Sequence, residues 1–319
     1  MAATGSIAER LAIAPEVAEA ISAGRAVVAL ESTLISHGLP WPRNLEVALA
    51  AETAVRSRGA VPATVAIHGG RLLVGVDRAG LEALATASPG SVAKASRPTL
   101  AAALASGDWA ATTVSATMIA ARAAGIDVFA TGGIGGVHRG ALGTGALGGQ
   151  PPSFDISSDL DELARTPMVV VCAGPKSILD VAATIEYLET RGVPVVALGQ
   201  PEIPGFFARS SGVQAPASVE NAEDAATLAR IHLQLGLGTS LLVCVPVPER
   251  DALPPDQANE AIERAIAEAS ATHVTGGALT PWLLARIAEL TDGASVRANV
   301  ALIVNNAATA ARIAASLAA

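Results

Sequence analysis

Of the 21 Lys and Arg residues in this 319-residue chain, only Lys94 and Lys176 are lysines. Arg stays protonated and cannot form an imine, whereas Lys can lose its proton in a sheltered pocket and attack a carbon electrophile. A chain that uses Arg almost everywhere for positive charge therefore singles out its two amines. Lys176 follows the apolar run Val169-Val170-Val171-Cys172 and the turn Ala173-Gly174-Pro175, and the pattern predicts a helix over Ser177–Thr190. A Lys at a helix start opposes the helix dipole, and partial burial there favours the neutral amine that Schiff-base chemistry requires. Lys94 stands in VAKASRP, three residues before Arg97 and just ahead of a helix pattern. The pair reads as an anion site at a helix start, or as a solvated turn. Glu31 leaves the apolar run Ala26–Leu30 directly. Ligands bind at the carboxyl ends of strands in α/β sheets, and partial burial raises a carboxyl's pKa into the range of a general acid.

Oxygen-rich segments form a second group. Thr112-Thr113-Val114-Ser115-Ala116-Thr117 opens a predicted helix. Its hydroxyls can cap that helix or hold a phosphate beside the N–H groups. In Phe154-Asp155-Ile156-Ser157-Ser158-Asp159, the two carboxylates can hold a hard cation such as Mg²⁺ or Mn²⁺. The alternative is a Ser N-cap with acids in the first turn. Thr131-Gly132-Gly133-Ile134-Gly135-Gly136-Val137-His138-Arg139 matches neither a dinucleotide fingerprint nor a P-loop, although its glycines permit close backbone approach and His138 and Arg139 can meet a phosphate or a base. The loop His37-Gly38-Leu39-Pro40-Trp41-Pro42 reads as a pocket wall or an ordinary connection. Asn299, in a helix pattern ahead of Asn305-Asn306, needs polar partners. The five histidines show no zinc-ligand spacing, and Cys172 and Cys244 fall in strand runs and read as core.

The elements that must position these residues alternate. Strand runs at Ala26–Leu30, Asp127–Ala130, Met168–Cys172, Pro194–Leu198 and Leu241–Val247, with a hairpin over Thr64–Ile67 and Arg71–Val76, are separated by helical periodicity. Helices are expected over Leu45–Ser57, Leu100–Ala105, Ser115–Ala124, Ala222–Leu235, Gln257–Ala269, Pro281–Leu290 and Val296–Leu317. This alternation predicts a single-domain α/β/α sandwich over 1–319, a largely parallel mixed sheet flanked by helices, with 1–14 loosely ordered. The Gly- and Pro-rich stretch 140–152 is expected to be a loop. Apolar residues make up 51% and charged residues 16%, but no run of about 20 apolar residues is free of polar interruption, so a membrane span is not expected. No signal-peptide pattern opens the chain, and two cysteines make no disulfide framework, which points to a cytoplasmic protein. The net charge of −8 argues against nucleic-acid binding through bulk positive charge.

Taken in order, ALESTLISHGLPWPRN, VAKASR, TTVSATMIAA, VFATGGIGGVHRG, FDISSDL, CAGPKSILD, PEIPGF, LTPWLL and NVALIVNNA resemble the pseudouridine-5'-phosphate glycosidase family, which includes the indigoidine synthase A domain. After VHRG the chain carries ALGTGALGGQPPS, longer than that family's usual link. The resemblance implies an α/β/α fold, a homotrimer, and a lyase-class enzyme that reversibly splits pseudouridine 5'-phosphate into uracil and ribose 5-phosphate. It also implies one divalent cation, usually Mn²⁺, per subunit. Carried over by position, Glu31 is the proton donor, Lys176 the covalent nucleophile and Asp155 the metal ligand. Lys94, Val114, Ser157, Ser158 and Asp159 contact substrate, and His138 and Asn299 match further pocket positions; Thr113 and Thr117 join them through the hydroxyl cluster. Two other functions remain open: a Schiff-base lyase or aldolase on another sugar phosphate, and a non-catalytic sugar-phosphate-binding protein.

Overall fold

Successive residues of a strand point to opposite faces, so a strand that is apolar throughout must be covered on both sides. The computed structural model describes residues 7–143, 152–272, 274 and 279–319 and shows this arrangement. In strand β2 (Val27–Leu30), after β1 (Leu11–Ile13), Val28 and Leu30 enter one core and Val27 and Ala29 the other. The chain continues through β3 (Val61–His68), β4 (Arg71–Val74), β5 (Ala93–Ala95), β6 (Ala110–Thr112), β7 (Val128–Ala130), β8 (Val137–His138) and β9 (Val169–Cys172). It is completed by β10 (Leu179–Asp180), β11 (Val195–Leu198), β12 (Ala217–Val219) and β13 (Leu241–Cys244). The main sheet runs β1-β4-β3-β2-β7-β9-β13-β11-β12, with β6 and then β5 branching from β3. Pairing is parallel from β3 through β12, and antiparallel for β3 with β4 and with β6. The mixed, mostly parallel sheet flanked by helices is the expected architecture.

One face packs against the helices Arg43–Arg56, Ala222–Leu235, Pro255–Ala271 and Ala294–Ala318; the other packs against Pro15–Ser22, Val114–Ala123, Ser158–Leu163 and Val181–Thr190. Helix ends follow local chemistry. Asn221 caps Ala222–Leu235 by accepting the Asp224 N–H at 2.9 Å, and Gly236, at φ +65°, ends it. Gly69 and Gly70, both at positive φ, close the β3–β4 hairpin. Ala294–Ala318 is the one helix among the described residues long and apolar enough to cross a membrane, but it packs on β2, β7 and β9.

Two expectations change. Residues 7–14 are not loose: Ile7–Arg10 is a 3₁₀ turn, and β1 pairs with β4. Residues 1–6 lie outside the described set, as does most of the 140–152 stretch. No helix spans Ser177–Thr190; Leu179–Asp180 instead pairs with β8, and the helix starts at Val181, capped by Asp180, which accepts the Ala183 N–H at 3.0 Å.

Candidate active site

Strands β2, β7 and β9 are parallel neighbours, so their carboxyl ends open on one edge of the sheet. Glu31 leaves β2, Thr131 leaves β7, and Lys176 lies just past β9. Glu31 is 7% exposed, and the Thr131 hydroxyl donates to its Oε1. Burial raises the Glu31 carboxyl above the usual Glu range, against the opposing pull of Lys176 and the Thr131 hydrogen bond. A carboxyl that holds its proton more tightly than usual is suited to act as a general acid.

Lys176 is held by its backbone, whose N–H donates to the Ile134 carbonyl at 3.1 Å and whose carbonyl accepts from Leu179 N–H at 2.9 Å. The helix-dipole argument for its reactivity therefore fails, since the nearest helix begins at Val181. What brings the amine to the cleft is its position between the β9 end and the β8–β10 ribbon. Lys94 arrives from β5, in register with Ala111 of β6. Its side chain lines the cleft. Burial first and the Lys176 charge second lower its pKa, while Glu31 and Asp159 act the other way.

The cleft has two compartments that share Glu31, Lys94 and Lys176. The more apolar one, about 280 Å³, is walled by Leu34, Phe206, Leu284 and Ile303, with His37 and Asn299 as polar members. The polar one, about 370 Å³, is lined by Thr113, Ser157, Ser158, Asp159, His138 and Asp155. Thus Glu31, Lys176, Lys94, His138, Asn299, Thr113, Ser157, Ser158, Asp159 and Asp155 meet as expected. Two residues do not reach the cleft through their side chains. Val114 is buried in the core and offers only the first N–H of its helix. Thr117 is fully buried and donates to the Thr112 hydroxyl at 2.9 Å, one helical turn below the cleft.

Asp159 has a structural duty besides lining the cleft. Its Oδ1 accepts the Ser115 N–H at 3.0 Å and its Oδ2 the Gly135 N–H at 2.9 Å, so it caps the Val114–Ala123 helix from 44 residues away. Thr113, at the N-cap position, makes no capping bond; its hydroxyl pairs with Ser115 Oγ at 3.1 Å. Ser157 caps its own helix by accepting the Asp159 N–H at 3.2 Å, as the capping alternative predicted, while also facing the cleft. Arg97 is not free to bind an anion with Lys94, because its guanidinium grips the buried Glu162. The glycine-rich loop serves close packing. A Cβ at Gly135 would overlap the Ser157 side chain and lie 2.8 Å from Asp159 Oδ2, and one at Gly133 would lie 2.6 Å from the Phe206 ring.

Asp155 is 53% exposed, with His138 Nδ1 at 3.9 Å from its Oδ2. Among the described residues no three His, Cys, Asp or Glu side chains converge as a ligand cluster. A lone open carboxylate beside hydroxyls suits a hard cation that keeps most of its water, and does not suit zinc. Residues that sequence reasoning missed include Thr131, Phe206 and Asn306. Asn306, fully buried, donates its amide to the Thr131 carbonyl at 2.9 Å and the Gly132 carbonyl at 3.3 Å. The Asn305-Asn306 pair in an apolar helix was the available signal.

Fold and cleft together define a class: α/β proteins that set a buried carboxylic acid and two amines at the carboxyl edge of a parallel sheet, beside an anion-friendly hydroxyl cluster. The family model described as indigoidine synthase A like protein matches residues 16–316, and the chain belongs to that family. It is 51% identical over 308 residues, 97% of this chain and 98% of the relative, to a protein named pseudouridine-5'-phosphate glycosidase from Paracoccus denitrificans. It is 53% identical to pseudouridine-5'-phosphate glycosidase 2 from Rhizobium johnstonii, covering 94% and 93% of the two chains. Among solved structures, the prealnumycin C-glycosynthase AlnA in complex with ribulose 5-phosphate superposes with a TM-score of 0.86 at 36% identity, covering 97% of each chain. An indigoidine synthase A-like protein from Thermotoga maritima gives 0.84 at 34% identity, again covering 97% of each.

Proposed function

We propose that this chain is a pseudouridine-5'-phosphate glycosidase that reversibly cleaves the carbon–carbon glycosidic bond to give uracil and ribose 5-phosphate. The observation that carries the reading is the meeting of Glu31, Lys94 and Lys176 in one cleft with a polar and an apolar compartment. Full-length relatives at about half identity bear that enzyme's name, and a solved relative holds a sugar phosphate. The polar compartment suits a phosphate, with Lys94 and the Thr113, Ser157 and Ser158 hydroxyls as donors. The apolar compartment suits a planar pyrimidine beside Asn299.

The leaving group is a ring carbon with no lone pair, so protonating a glycosidic oxygen, as ordinary glycosidases do, is not available. In the proposed route the Lys176 nitrogen attacks C1' through its lone pair and the C1'–O4' bond breaks. Glu31 gives its proton to O4' and regains one from the new ammonium. The nitrogen lone pair then forms a C1'=N bond as the C1'–uracil bond breaks, and its electron pair takes at C5 the proton that Glu31 has regained. Water adds to the imine carbon, and the amine leaves as ribose 5-phosphate forms. Only an imine-forming side chain supplies this electron sink. Phosphate contacts remote from C1' lend binding energy to the reacting centre.

Asp155 would hold a divalent cation, Mn²⁺ or Mg²⁺, with water in its other positions; when bound, the ion supplies positive charge against substrate oxygens. A cytoplasmic homotrimer completes the proposal. The test is uracil release from pseudouridine 5'-phosphate with and without Mn²⁺, paired with borohydride reduction in ribose 5-phosphate. Expected are uracil formation and a reduced sugar adduct on Lys176. An adduct on another residue, or full turnover by Lys176→Ala, overturns the covalent route. Substrate binding with neither uracil nor adduct favours a sugar-phosphate-binding protein.

A further inference from the structure

His37 belongs to no part of the route above, yet its placement is specific. It ends the four-residue helix Thr33–Ser36, which begins two residues after Glu31, and its N–H donates to the Thr33 carbonyl at 2.8 Å. Gly38 follows in a turn too tight for a side chain, since a Cβ there would overlap the Leu34 carbonyl. This turn sets the imidazole in the wall of the apolar compartment, alongside Glu31 and Asn299. Its Nε2 is buried with no hydrogen-bond partner among the described residues. A buried polar atom without a partner is costly, which points to a ligand that completes it.

The state of the ring says what that ligand must offer. Burial, and next the Lys94 charge, lower the His37 pKa, against a backbone hydrogen bond with Ala93. A neutral imidazole has one N–H and one bare nitrogen. Placed at Nε2, the bare nitrogen is an acceptor and calls for a donor on the ligand.

Two uracil nucleotides differ at one such donor. When the sugar is joined to C5, the ring keeps N–H groups at both N1 and N3. When it is joined to N1, only the N3–H remains, and a C5–H takes the place of the missing donor. We propose that His37 is a specificity-determining residue whose Nε2 accepts the N1–H of the C5-linked pyrimidine, so that the cleft tells a C-nucleotide from its N-linked isomer. The proposal rests on the glycosidase reading, and deepens it by naming the group that reads the linkage.

The experiment uses the full chain, its His37→Phe variant, which keeps ring volume without nitrogen, and its His37→Gln variant, which restores an acceptor. Pseudouridine 5'-phosphate and its N1-methyl derivative are the substrates, and uridine 5'-phosphate is the competitive probe. Loss of one buried hydrogen bond predicts a fall in kcat/KM of about 10- to 100-fold for pseudouridine 5'-phosphate in His37→Phe. Partial recovery is expected in His37→Gln, and the inhibition constant of uridine 5'-phosphate should change by less than about threefold, because that ligand has no N1–H to lose. The wild type should disfavour the N1-methyl substrate by at least about 10-fold. Equal use of both substrates by the wild type overturns the proposal even if the variants fail to fold. Parallel weakening of both nucleotides in His37→Phe also overturns it. No uracil release by the wild type from pseudouridine 5'-phosphate overturns the glycosidase reading itself, a different result from lost discrimination.

Discussion

Asp159→Asn separates a residue that merely borders the cleft from one that builds it. The carboxylate is 5% exposed and takes two backbone N–H groups, Ser115 at 3.0 Å and Gly135 at 2.9 Å. Asn is nearly the same shape but has one oxygen and an NH₂. One backbone N–H keeps a neutral acceptor in place of a charged one, a loss of about 1 kcal/mol. The other now faces an N–H and is left buried without an acceptor, at about 1–3 kcal/mol. Together these predict a fall of about 2–4 kcal/mol in unfolding free energy, read from urea denaturation of both proteins at one pH. Ribose 5-phosphate affinity should fall with it, because the helix end beside Thr113 and the Gly135 turn against which Ser157 packs both hang on this side chain. A stability change below about 0.5 kcal/mol would refute the capping account and leave Asp159 as a ligand contact alone.

Glu31→Gln should abolish uracil release. Because burial holds the Glu31 carboxyl above the usual range, the folded chain binds that proton more tightly than the unfolded one. The resulting stability is complete below the unfolded value and lost as pH rises through the folded one. The variant should therefore lose less stability than wild type over that rise; identical pH profiles of unfolding would contradict this. Gly135→Ala should lower ribose 5-phosphate affinity more than tenfold and cost about 1–3 kcal/mol, since the added methyl needs the space of Ser157; unchanged calorimetric binding would refute it. Asp155→Asn should raise the Mn²⁺ concentration needed for half-maximal rate, measured by titration of the metal-stripped enzyme, and an unshifted titration would return FDISSDL to a purely capping role. Asn306→Leu strips the Thr131 carbonyl of its donor, while Gly132 keeps the Ala173 N–H, and should destabilise by about 1–3 kcal/mol, checked by denaturation.

Glu31 and Lys176 were legible because each leaves an apolar parallel strand, and such strands are long enough to read from composition. A helix start at Lys176 does not hold, since a two-residue strand carries no periodicity and Leu179–Asp180 reads in sequence as part of the helix that follows. The same brevity hid β1, β5 and β8. In the hydroxyl run, type alone does not say which residues face out: Thr113 reaches the cleft, while Thr117 turns inward to Thr112. Arg97 looked like a partner for Lys94 because they are close in sequence, but Glu162, 65 residues on, takes its guanidinium. The His37–Pro42 loop reads in sequence as a pocket wall or an ordinary connection, and only the fold, by bringing the His37 ring beside Asn299, decides for the wall.

Both side-chain amines of this chain open on the same cleft, and every other cationic side chain is Arg. Acylating reagents, reductive alkylation and glycation by free aldoses all select primary amines over guanidinium groups. Any terminal amine aside, such chemistry has no innocuous target on the outer surface. Coupling a dye or resin through lysine would thus occupy the cleft, and protection of that reaction by a bound ligand would give a direct occupancy assay.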